Sequence, residues 1–204
     1  MKNSIDSLMD CQHVRRWSMV HTVADSTVAS HSFNVAMIAM AIRKRMFNTN
    51  HFSEMEVCYY ALIHDVKEAH TGDLPTPTKV RMRECGFDPE NFDKNIPDED
   101  EPPPHIKVIV KMADLIDNYC FIYEYGAGTR AREAAAEVEG RLRTAIQDAS
   151  SDLQTAAVYV LEYIMERKSG EAEERRKINE DRERMRSVQE FLSTYRIQED
   201  PEGM

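Results

Sequence analysis

Apolar residues recur along this chain of 204 residues with the three- and four-residue spacing of helices, and alternating strand patterns are nearly absent. The first clear helix is predicted from about Val28 to Phe47. His31, Val35, Ile38, Ile42 and Met46 form its stripe, and Ser26 or Thr27 is placed to cap it. A second helix is expected from about Ser53 to Ala69, because Ser53 is followed three residues later by Glu56, a capping-box signature. Gly72, Pro75 and Pro77 should end it and stiffen the polar loop Thr71–Thr78. Further helices are predicted from His105 to about Tyr125, from Ala131 to Ala149 and from Leu153 to Arg167. Ser150-Ser151-Asp152 marks a turn and cap between the last two. Residues Glu171 to Glu190 are densely charged, with opposite charges three or four apart. They read as a solvated helix packing by Ile178, Met185, Val188 and Leu192.

The stretch Glu84–Pro104 breaks the pattern with eight acidic residues and five prolines. It reads as a surface excursion whose charge is either a solvated face or a pocket rim. The expected architecture is all-α, five to seven helices around one core. It forms a single compact domain over 1–204, with an acidic loop at about 84–104 and a charged C-terminal helix at about 171–192.

Composition narrows the partners. A mass of 23.6 kDa fits one domain with a full core. A net charge of -10 disfavours binding to polymeric nucleic acid through a broad basic surface. A small anionic substrate held by a local cation or metal stays open. The four cysteines, Cys11, Cys58, Cys85 and Cys120, form no CxxC pair and read as scattered buried thiols in a reducing compartment. With no signal peptide or long apolar run visible, the expected location is cytoplasmic, with no membrane partner, including the case of a virus-encoded protein acting inside its host.

The chemistry concentrates in A61-L-I-H-D-V-K-E68, an apolar helix with an imidazole and a carboxylate adjacent at its centre. Buried charge is costly unless paired or metal-bound. His64 and Asp65, joined by His31 and Asp114 from two other helices, supply two imidazoles and two carboxylates. That set suits one divalent ion such as Zn, Mn, Co or Fe, with positions left for water and phosphate oxygen. Each residue also has a plainer reading: His31 as a satisfied core histidine, and Asp114 as a partner of Lys111. Glu68, four residues after His64 and so on the same helix face, is placed to orient or deprotonate water, or else is an exposed helix-end carboxylate. Asp73, in a loop pinned by prolines, is held at a fixed distance from a reacting group, or is a local cap. Thr71, Thr76 and Thr78 are candidate donors to phosphate or sugar. In V14-R-R-W17, an arginine offers a fork to phosphate, and Trp17 is either a base-stacking surface or a core anchor.

These segments resemble the HD-domain metal phosphohydrolases, and more closely their bacterial 5'-deoxynucleotidase branch. R16-W17, V28-A-S-H-S-F-N-V-A36, H64-D-V-K-E68, T71-G-D-L-P-T-P77 and K111-M-A-D114 carry the match, across roughly residues 12–125. The T-G-D-L-P-T-P run is specific, whereas H…HD…D marks the broad superfamily. The resemblance implies metal ligands at His31, His64, Asp65 and Asp114, with Glu68 supporting the attacking water and Asp73 near the leaving group. It also selects Arg16 over Arg15 for phosphate, beside Trp17 in the pocket. It implies a helical homodimer that uses Co, Mn or Zn and removes the 5'-phosphate from deoxyribonucleoside monophosphates. Small viral relatives hydrolyse dATP to deoxyadenosine and triphosphate, and the shared motifs do not separate the two substrates. Ser30 stands where many relatives carry Glu, so an altered environment around the ligands is expected.

Overall fold

α1 (Lys2–Asp10) packs its Ser7 against α4 (Glu68–Thr71), where Ser7 Oγ lies 2.9 Å from His70 Nε2. The computed structural model describes residues 2–47, 53–88, 102–170 and 186. The remaining elements are α2 (Val28–Arg45), α3 (Glu54–Ile63), α5 (Thr76–Glu84), α6 (Pro104–Tyr125) and α7 (Gly128–Asp148). A further helix, α8, runs over 151–170. No strand forms among the described residues, so the all-α expectation holds, and two isolated bridges, Arg15–Thr27 and Thr22–Gly126, are the β-type pairings. By internal packing the chain divides into Met1–Glu162 and Tyr163–Met204. The predicted helix over 171–192 lies outside the described residues apart from position 186, as does most of the acidic stretch, 89–101.

α2 and α6 build the core. α2 packs against α3 and α6, and α6 against α7. Ile42 of α2, Val57 of α3, and Ile106, Ile109, Met112 and Ile116 of α6 are all but sealed from solvent. Thr27 caps α2, accepting from the Ser30 amide, while Ser30 Oγ accepts from the Thr27 amide at 3.0 Å. Ser30 therefore completes a capping box at the exposed start of α2. Ser53 and Glu56 form the predicted capping box of α3. All four cysteines are free. Cys11 and Cys120 are buried, but Cys85 is exposed, against the expectation of uniformly buried thiols.

The predicted single helix from 53 to 69 is broken. α3 stops at Ile63, and the chain continues in tighter turns whose amides bond three residues back: Val66 to Ile63, Glu68 to Asp65, Ala69 to Val66. The cause is local. The Ala61 carbonyl, which an unbroken α-helix offers to the amide of residue 65, accepts from the His64 ring at 2.7 Å. Tight turns of this kind recur where a helix is bent to a purpose. Gly72, at φ +73, then ends α4 in a conformation that a side chain would strain. Pro75 and Pro77 open α5 at its cap and first turn, where a missing N–H costs nothing.

At the other end of the core, Gly126 closes α6. A Cβ there would stand 2.5 Å from the Ile122 carbonyl oxygen and 3.0 Å from Ala131 Cβ. Backbone cannot swing aside, so Gly126→Ala is expected to destabilise the fold by about 1–3 kcal/mol. Urea unfolding reads this as a lower midpoint at unchanged slope, and an unchanged midpoint refutes it.

Candidate active site

Between α1 and α2 the chain makes an arm, residues 14–28, whose base is closed by hydrogen bonds from Val28 N to the Val14 carbonyl (2.9 Å) and from Arg16 N to the Ser26 carbonyl (2.9 Å). The tip is tied to the end of α6, where Val23 N donates to the Tyr125 carbonyl at 2.8 Å and Ala127 N to the His21 carbonyl at 2.9 Å. This arm settles which arginine faces inward. Arg15 is exposed and pairs loosely with Asp25, whereas the Arg16 side chain is only 9% exposed and donates to Asp65 Oδ2 at 2.9 Å. Trp17 sits at φ +61, a backbone strain held by its own amide donating to Asp73 Oδ2 at 3.2 Å. Its ring stacks on Phe121, so it is both anchored and presented.

The break after α3 matters because it delivers His64 and Asp65 to the buried face of α2. His64 caps the end of α3 and Asp65 lies in the turn, so the two are not at the centre of a helix as predicted. Glu68 likewise begins its own short helix and does not share a helix face with His64. The ligand-type atoms of His31, His64 and Asp65 all lie within 4.8 Å of one another. His31 Nε2 stands 3.3 Å from Asp114 Oδ1 and 3.6 Å from Asp65 Oδ2, and His64 Nε2 stands 3.3 Å from Asp65 Oδ2.

The tautomers decide what this cluster can hold. A carbonyl oxygen can only accept, so the His64 Nδ1 facing Ala61 carries the proton and Nε2 a lone pair. His31 Nδ1 donates to Asp117 Oδ2 at 2.7 Å, which in the neutral ring leaves Nε2 with a lone pair. Both Nε2 atoms are buried without a hydrogen-bond partner. Lone pairs on nitrogen and carboxylate oxygen at 3.3 Å repel unless a positive charge stands between them. The donor set therefore fits a divalent ion. Burial and the Arg16 charge disfavour a proton on His31, but the facing carboxylates of Asp114 and Asp117 outweigh them and raise its pKa, so proton and metal compete for the same nitrogen. Asp117 is expected to matter through this contact. Asp117→Ala should weaken zinc affinity about 10- to 100-fold in calorimetric titration. An unchanged affinity would show that the contact does not orient the ring.

Around this cluster opens a cleft of about 460 Å³, lined by Arg16, Trp17, Asp65, Glu68, Asp73, Thr76 and Asp114 among others. Thr71 is not part of that lining: its hydroxyl donates to the Gly72 carbonyl at 3.0 Å. Thr76 lines the cleft and accepts a long contact, 3.5 Å, from Arg141 of α7. Glu68 is buried, with Lys79 of α5 on Oε1 at 3.0 Å and no partner for Oε2. Burial, then Asp65 and Asp73, push its pKa up to about 7, against the pull of Lys79. Asp114 is opposed by burial too, but His31 and Lys111 hold it well below the usual carboxylate range. Its predicted plainer role is also real, since Lys111 Nζ lies 2.6 Å from Asp114 Oδ2. Sequence reading missed three participants. Asp117 and Asn118 follow Asp114 by one helical turn, a signal that was present. Lys79 follows the T-G-D-L-P-T-P run with nothing to mark its reach.

The chain is similar in sequence and in fold to several known proteins. Residues 4–86 match the model of the YfbR-like 5'-deoxynucleotidase family. A dATP triphosphohydrolase of Salmonella phage PMBT28 is 33% identical over 131 residues, 59% of this chain and 66% of the phage protein, just under two thirds of its length. A 5'-deoxynucleotidase of Shewanella oneidensis is 29% identical over 155 residues, 64% of this chain and 79% of its own length. In structure, the cyanophage S-2L HD phosphohydrolase DatZ, solved with dA and one catalytic Zn2+ ion, superposes with a TM-score of 0.66 at 21% identity, covering 79% of this chain and 96% of that one. The chain is similar to the YfbR-like 5'-deoxynucleotidases over residues 4–86 and to a phage dATP triphosphohydrolase over 131 residues, and it shares its all-helical fold with DatZ.

Proposed function

We propose that the chain hydrolyses the 5'-phosphate of deoxyribonucleoside monophosphates, giving a deoxynucleoside and inorganic phosphate. The carrying observation is the pair of buried, unpartnered imidazole nitrogens facing Asp65 and Asp114, with a buried Glu68 beside the same cleft. His31, His64, Asp65 and Asp114 are the assigned ligands of one divalent ion, with Zn, Mn and Co the candidates. Zinc is the first to test because it is the ion of the DatZ structure. When bound, such an ion supplies charge neutralisation for phosphate and a lowered pKa for water.

The remaining roles fall to side chains. Glu68 Oε2, the oxygen left free by Lys79, takes the proton of the attacking water. A bond then forms between that water oxygen and phosphorus while the bond to the 5'-oxygen breaks. Arg16 faces the non-bridging oxygens, and Trp17 offers its ring to the base. Asp73, fixed by the Trp17 amide, is assigned to steering the water that gives its proton to the departing 5'-oxygen. Thr76 is a candidate contact at the rim, and Thr71 shapes the loop rather than touching substrate.

Charge favours a monophosphate. Five basic side chains (Arg16, Lys79, Lys111, Arg130, Arg141) and six acidic ones (Asp65, Glu68, Asp73, Asp114, Glu133, Glu137) line the cleft. The three innermost cations each bond a carboxylate: Arg16 to Asp65, Lys79 to Glu68, Lys111 to Asp114. With one divalent ion this lining balances a dianion far better than a triphosphate. The second reading, dATP to deoxyadenosine and triphosphate, rests on the names of the phage relative and of the dA-bound structure. Zinc-loaded protein incubated with dNMPs, rNMPs and dNTPs separates the readings by product mass. Nucleoside and phosphate from dNMPs support the first, and triphosphate from dATP with monophosphates untouched replaces it with the second. The expected assembly is a homodimer with no membrane partner, and no helix among the described residues is long and apolar enough to cross a membrane.

A further inference from the structure

Asn118 sits on α6 one turn after Asp114 and bridges two groups that the proposed reaction uses separately. Its Oδ1 accepts from Arg16 Nη2 at 2.8 Å, and its Nδ2 donates to Asp114 Oδ1 at 2.6 Å. The amide can serve both in one orientation alone, because a guanidinium only donates and an ionised carboxylate only accepts. Arg16 is thereby gripped at both terminal nitrogens, by Asp65 on Nη1 and by Asn118 on Nη2. Its Nε is buried with no hydrogen-bond partner. A guanidinium with both ends fixed cannot turn about its long axis, so the direction in which the remaining Nη hydrogens face the cleft is set before any ligand arrives. The pull of neighbouring carboxylates, Asp65 foremost, overcomes burial and keeps it charged.

We propose that Asn118 is a positioning residue that orients Arg16 toward the substrate phosphate while steadying Asp114. This rests on the assignment of Arg16 as the phosphate contact. A bridging amide suits this place better than a carboxylate, which would face Asp114 oxygen against oxygen. A hydroxyl is too short to span the two groups. Removing the amide frees one end of the guanidinium and leaves Asp65 as its sole named partner, so Arg16 collapses toward the ligand cluster and away from phosphate.

The test is a double-mutant cycle read by inorganic phosphate binding to zinc-loaded protein, in calorimetry, alongside zinc affinity and dAMP kinetics. Asn118→Ala is expected to weaken phosphate binding on the order of tenfold, the loss typical of a hydrogen bond to a charged group. The same variant should raise KM for dAMP more than it lowers kcat. Combined with Arg16→Ala, it should weaken phosphate binding no further than Arg16→Ala alone. Additive losses, or a fall in zinc affinity with phosphate binding intact, overturn the proposal. Asn118→Leu keeps the volume while deleting both bonds, and it carries the same test if the alanine variant does not fold. Wild-type protein that binds no phosphate also overturns it. Phosphate binding without turnover of any dNMP instead refutes the proposed reaction and leaves the cycle readable.

Discussion

Glu68→Gln is expected to keep its fold and its zinc while losing turnover of deoxynucleoside monophosphates by about 10²- to 10⁴-fold, the usual contribution of a general base. Glutamine is nearly isosteric, and its carbonyl still accepts from Lys79, so packing is preserved. What it cannot do is take a proton on the atom that Glu68 leaves free. The pH dependence gives a second handle. A carboxyl with a raised pKa must lose its proton to act as base, so kcat/KM should climb with pH and then level off, the climb lying below the value of about 7 that the metal-free site gives because a bound ion offsets the charge of Asp65. That limb should vanish in the glutamine variant. In protein stripped of metal, stability should show the same group. Its folded pKa lies above the usual 4.5, so the folded state holds the extra proton between the two values. The associated stability is full below about 4.5 and lost as pH rises through about 7, by about 3 kcal/mol, and Glu68→Gln should flatten that slope. Full activity in Glu68→Gln ends the assignment.

Asp65→Ala is expected to have the larger effect. One substitution removes a carboxylate that faces both unpartnered imidazoles and that also holds Arg16. Zinc retention after dialysis should disappear, and turnover should fall beyond the roughly 10³-fold cost of a single lost transition-state contact. Arg16, almost fully enclosed, is left without its ion-pair partner, a change that costs about 3–5 kcal/mol when both members are buried. Asp65 is more open than Arg16, so a thermal melt should show a smaller but clear loss. Asp65→Asn separates the two contributions. It keeps an oxygen for Arg16 and the shape of the site, so it should restore most of the stability and little of the metal. An alanine variant that holds zinc as tightly as the wild type excludes Asp65 as a ligand.

The helices were legible because their cores obey one period. α2, α6 and α7 were read from apolar spacing and caps to within a few residues. α1 escaped because its stripe of Ile5, Leu8 and Met9 spans little more than one turn, too short a run to mark a helix by period alone. The break after Ile63 escaped for a different reason. Propensity and pattern both favour an unbroken helix there, and a single imidazole-to-carbonyl bond overrides them. In the site, the residues with unusual chemistry for their surroundings stood out: a histidine in an apolar stripe, a carboxylate amid alanine and isoleucine. Lys79 and Asn118 did not stand out, because a lysine or an asparagine on a helix is ordinary until the fold brings a distant partner to it. Thr71 drew attention through its motif, yet its hydroxyl closes on the neighbouring backbone.

The arm that carries Arg16 and Trp17 is fastened at its base to the start of α2 and at its tip to the end of α6. Ordering a loop of this length costs conformational entropy at each residue, and a loose loop would meet that cost whenever substrate arrived. Here it is met during folding, together with the strained backbone of Trp17. The affinity of the site for small anions therefore depends on hydrogen bonds that touch no ligand. Loosening the tip would slow productive encounters and weaken binding while every contacting side chain stayed in the sequence.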